Sequence, residues 1–138
     1  MFPRSAVVLT LAALVMACQS LERADECRAV AKLANPVLAE IDHDRADVRS
    51  AQYRLIAGKY EALANSLGQV RINTKRVAEA VNDYQRMLHE AARDSRTFAE
   101  ALESKDETRI SIERVTASRT LRHESTALVR LETACRIH

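Results

Sequence analysis

Glu40 and His43 stand three residues apart in Glu40-Ile41-Asp42-His43-Asp44, the E-x-x-H spacing that sets a carboxylate and an imidazole on one helical face. Di-iron bundles use two such motifs and two further inward carboxylates. This chain has a single E-x-x-H, placed where the apolar periodicity of its segment runs out, on the solvent side of Ile41. Glu40 and His43 are metal-ligand candidates by type alone; a solvated helix end, with no metal and no cofactor, is the expectation. Covalent haem attachment needs C-x-x-C-H, which is absent, and His89, His123 and Met87 lie off the apolar stripes. Ser95 falls on a stripe, but nothing sets a histidine and an orienting carboxylate beside it, as nucleophilic catalysis requires. Gly58 and Gly68 are too few for a phosphate-cradling loop. No two cysteines form a C-x-x-C pair, which argues against dithiol redox catalysis. These residues predict no enzyme. Tyr53, Tyr60 and Tyr84 recur at inward positions, either as core edges with hydroxyls reaching the surface or a polar partner or as the lining of a ligand cavity.

Whatever positions these residues is helical. The 138-residue chain carries two Gly, two Pro and no Trp, whereas sheets need β-branched and aromatic runs with glycine-rich turns. That length suits one domain. A net charge of +2 from 21 basic and 19 acidic residues is spread along the chain, unlike the basic face of a nucleic-acid binder. The arginine-rich run from Arg109 to Arg136 alternates with Glu113, Glu124 and Glu132 and reads as a solvated face.

Apolar residues recur at helical spacing in four segments. Cys27, Ala31, Ala34, Leu38 and Ile41 form the first stripe, which Asn35-Pro36 kinks or breaks. A second register runs through Tyr53, Ile56, Tyr60, Leu63, Leu67 and Val70. It continues in phase through Thr74, Val77, Val81, Tyr84, Leu88, Ala91, Ser95, Phe98 and Leu102, and so permits one long helix. A hairpin near Gly68–Thr74 is preferred, with Gly68 as C-cap and Asn73 or Thr74 as N-cap. Ser104 or Asp106 caps a last helix whose stripe holds Ile110, Ala117, Leu121, Leu128, Leu131 and Cys135. Arg114 and Glu124 interrupt that stripe, and both are read as flanking residues that snorkel outward. The pattern predicts an all-α, antiparallel up-down four-helix bundle with coiled-coil-like heptad stripes, its helices near 20–43, 46–68, 74–103 and 106–137. The first pair is shorter than the second, so tilt or a protruding hairpin must absorb the difference.

The N-terminus carries an address. Arg4 precedes the apolar run Ala6–Ala17, AVVLTLAALVMA, which is too short to span a bilayer at about 20 residues but fits a signal-peptide h-region of about 7–15. Val15-Met16-Ala17-Cys18 resembles a bacterial lipobox; ordinary signal-peptidase cleavage after Ala17 fits the same residues. The resemblance implies a signal peptide over 1–17, lipidation of Cys18 and a mature domain over 18–138. It implies a cell-envelope lipoprotein whose partner is the membrane itself, and Gln19 after the lipidated cysteine implies the outer membrane. With Cys18 acylated, Cys27 and Cys135 remain, and an oxidising compartment favours their pairing. Two buried free thiols are the alternative. In a four-helix up-down chain the first and last helices bring such residues to the same end. The chemistry predicts a non-enzymatic structural or docking component with an envelope protein partner; a periplasmic ligand- or metal-binding bundle is the second reading.

Overall fold

The computed structural model describes the backbone over residues 4–136 and side chains over residues 19–136; the predicted signal segment and the Cys18 side chain lie outside the described side chains. Four helices follow one another: α1 (Arg4–Asp44), α2 (Ser50–Gly68), α3 (Lys75–Ser104) and α4 (Glu107–Cys135). Consecutive helices pack together as an up-down bundle, with α3 as the central member between α2 and α4. Cross-helix pairs fix the antiparallel register. Arg54 at the start of α2 meets Glu103 at the end of α3 (2.9 Å), and Gln85 of α3 donates to the Ala64 carbonyl near the end of α2 (2.8 Å).

The core follows the heptad stripes. Ile56, Tyr60, Leu63 and Leu67 of α2 interlock with Val77, Val81, Tyr84 and Leu88 of α3, and Ile41 of α1 closes over them. The central helix buries a broader band than its stripe, adding Ala80, Met87, Ala92, Ala99 and Ala101, because it serves a neighbour on each side. Alanine on that band lets the backbones approach closely. In α1 the buried edge turns slightly from the expected one, to Glu26, Val30, Ala34 and Ile41, with Cys27 and Leu38 half-buried. Pro36 sits on the exposed side of α1, and the helix runs through it without breaking.

The length mismatch between α2 and α3 falls at the connection between them. Gly68 lies beside Gln85, whose amide comes within 2.8 Å of where a glycine Cβ would be. That contact is ten residues, about 15 Å, along α3 from its start. The non-helical connection 69–74 returns over that distance, and Val70 and Ile72 pack on the core where helix turns would otherwise lie. Gly68 is therefore the last helical residue, needed for close approach of Gln85, and not a left-handed C-cap; the cap is Gln69 at φ −93°. At the other hairpin Lys105 takes the left-handed conformation (φ 55°), and Asp106 caps α4 by accepting from the Thr108 and Arg109 amides (3.0 and 3.2 Å).

Candidate functional site

Three polar features lie within or against the core. The first ties three elements together. Glu124 of α4, 6 % exposed, accepts from the Tyr60 hydroxyl of α2 (3.0 Å) and from Arg45 (3.2 Å), which follows α1 directly. Arg45 also donates to the Tyr60 oxygen, pairs with Asp42 (2.9 Å) and holds its guanidinium 5.8 Å from the Tyr60 ring centre. A buried carboxylate survives only when its lone pairs are met, and here an arginine and a phenol meet them. Glu124 is thus an interior group, contrary to the snorkelling expected of it, whereas Arg114 is exposed as expected. Burial, reinforced by the Glu124 charge and opposed by Arg45, pushes the Tyr60 hydroxyl well above the ordinary tyrosine range. Burial and the same carboxylate do likewise to Tyr84, whose hydroxyl has no hydrogen-bond partner among the described residues.

The second feature caps α3 from a different helix. One oxygen of Glu26, in α1, accepts from the backbone amides of Asn73 (2.6 Å) and Thr74 (3.2 Å). Neither Asn73 nor Thr74 caps α3 with its own side chain. Burial is the largest influence on the Glu26 carboxyl and raises its pKa, but the hydrogen bonds from Asn73 and Thr74 together outweigh it, and the net shift is downward. Glu22 adds an acceptor for the Asn73 side-chain amide (2.7 Å).

The third feature is the disulfide between Cys27 and Cys135, with Cα atoms 5.8 Å apart, which closes α1 onto the end of α4. Such a bond points to an extracytoplasmic compartment. Among the described residues no helix is long and apolar enough to cross a membrane.

The metal-ligand candidates are not brought together. Lys59 reaches Glu40 (3.0 Å) and Asp44 (2.6 Å), so an ammonium already occupies the space between those carboxylates, and His43 is exposed at the helix end. Among the described residues no cluster of His, Cys, Asp or Glu is arranged to hold a metal ion. Met87 is buried between α3 and α4, a position its place off the stripe concealed, while His89 and His123 are exposed. Of the tyrosines, Tyr53 and Tyr60 share a cavity of about 60 Å³ with Arg45, Asp94, Ser95 and Thr120; Tyr84 does not line it. Tyr53 packs edge-on against Phe98, centroids 4.6 Å apart. The cavity has room for about two waters, far below the 300 Å³ or more of a small-molecule pocket.

The arrangement therefore defines a disulfide-closed helical bundle with a buried ionic clasp. No family model, curated protein or solved structure matches the chain.

Sequence reasoning missed Arg45 and Glu26. Arg45 lies just outside a helix, and Glu26 lies one residue off its stripe. The available signal was that each is a charged residue adjoining an apolar repeat.

Proposed function

We propose that the chain is the precursor of a lipid-anchored cell-envelope protein, attached through Cys18, whose bundle serves as a non-enzymatic docking or structural component. The observation that carries this reading is the pairing of Cys27 with Cys135. It leaves Cys18, at the end of the apolar leader, as the one cysteine without a partner in the bundle. The small cavity beside Tyr53 and Tyr60 and the lysine-filled acidic pair favour docking over a ligand held by the tyrosines or a metal at Glu40 and His43. Its mechanism is tethering: acyl chains, at about 0.8 kcal/mol per buried methylene, hold the bundle at a surface and raise its effective concentration for an envelope partner. Gln19 after the cysteine assigns it to the outer membrane. The test is the intact mass of protein extracted from native membranes, before and after reduction. A chain beginning at Cys18, carrying diacylglyceryl and acyl groups and gaining two hydrogens on reduction, is expected. An unlipidated or uncleaved chain would overturn the anchor.

A further inference from the structure

A cleft of about 550 Å³ opens between α1 at Gln19–Arg23 and the start of α3. Gln19 and Ser20, the residues directly after Cys18, form one wall, and Arg23, Lys75 and Arg76 line it as cations. Its one acid, Glu22, is turned to the Asn73 amide. Arg71 in the adjoining connection and Arg136 beyond α4 are exposed at the same end of the bundle. Among the described residues, Lys75 is the only one of these five cations with a carboxylate within ion-pairing distance, Glu79 at 3.9 Å. Arg23 carries a buried Nε with no acceptor among the described residues. Leu21, 68 % exposed, lies on the other side of α1 from this cleft.

We propose that this end face binds the anionic phospholipid headgroups of the membrane that holds Cys18, so that the bundle stands on the bilayer instead of swinging from its anchor. The inference rests on the anchor reading for its orientation. Arg23 is five residues from Cys18, about 7.5 Å along a helix, and so within the roughly 8–10 Å over which a charged surface acts at physiological salt. Each cation brought to an anionic surface strengthens binding about fivefold.

The chain has four lysines, Lys32, Lys59, Lys75 and Lys105, which makes amine labelling a direct readout. Protein isolated from membranes is mixed with vesicles of phosphatidylethanolamine, with or without phosphatidylglycerol. It is then labelled with a water-soluble amine reagent and mapped by peptide mass. Labelling of Lys75, relative to Lys105 at the opposite end, falls about fivefold or more when phosphatidylglycerol is present. High salt restores it, as does the double variant Arg71→Glu, Arg76→Glu. Equal Lys75 labelling in the two vesicle types overturns the proposal. The mass of the same sample reports the anchor separately. Lipidated protein without Lys75 protection keeps the anchor and sinks the headgroup face. Unlipidated protein with protection does the reverse.

Discussion

Tyr60 and Tyr84 are both fully enclosed, yet their hydroxyls are in opposite situations. Tyr60 donates to a carboxylate, and hydrogen bonds to charged groups contribute about 1.5–3 kcal/mol. Tyr84 carries the desolvation cost of a hydroxyl with no bond to offset it. Tyr60→Phe should therefore destabilise the bundle by about 1.5–3 kcal/mol, while Tyr84→Phe should leave it unchanged or up to about 1 kcal/mol more stable. Urea denaturation of the two variants checks the pair. Equal losses would mean that Glu124 does not discriminate between the two phenols.

At the scale of elements, the start of α3 depends on a residue in another helix. Glu26→Ala should leave the Asn73 and Thr74 amides without an acceptor, at about 1–2 kcal/mol. The folded pKa of Glu26 lies below its unfolded value, so its contribution is complete above the unfolded value. That contribution disappears as pH falls through the folded one. Stability curves of the native protein and Glu26→Ala should accordingly run apart near neutral pH and converge in acid. Curves that stay parallel down to low pH would show that the carboxylate charge plays no part.

These features also mark how far the sequence could be read. The boundaries of α2, α3 and α4 were legible to within a few residues because heptad stripes, Gly68 and Asp106 are local signals. The Cys27–Cys135 pairing was expected once Cys18 is set aside as the lipid site, and it agrees with an even number of helices. Glu26, Arg45 and Glu124 were not legible. A charged residue beside an apolar stripe looks the same whether it reaches water or a partner from another helix, and only the tertiary register separates the two. The non-helical return of residues 69–74 escaped for a related reason: Val70 and Ile72 continue the apolar pattern, but the six-residue connection follows no helical period.

For the whole molecule, the unequal packing of α1 sets the order in which the bundle should open. The α2–α3 and α3–α4 contacts are extensive, whereas α1 rests mainly on α2 and touches α3 and α4 little. The disulfide supplies much of what holds it there. Replacing Cys27 and Cys135 together by Ala should cost about 2–5 kcal/mol. In hydrogen exchange, α1 from residue 19 to Asp44 should lose protection first, with α3 retaining it. Uniform loss across all four helices would show that α1 is an integral part of one cooperative unit.

The same bond gives the chain the topology of a ring, with its two ends tied at one point and 108 residues of separation closed between them. A protease that nicks the exposed Arg49 connection, or any arginine between the cysteines, opens the ring without shedding a piece. Both fragments stay joined through sulfur to the segment that leads back to Cys18. Shedding part of the bundle takes a second cut or a reductant, so an extracytoplasmic domain tolerates its first proteolytic wound in place.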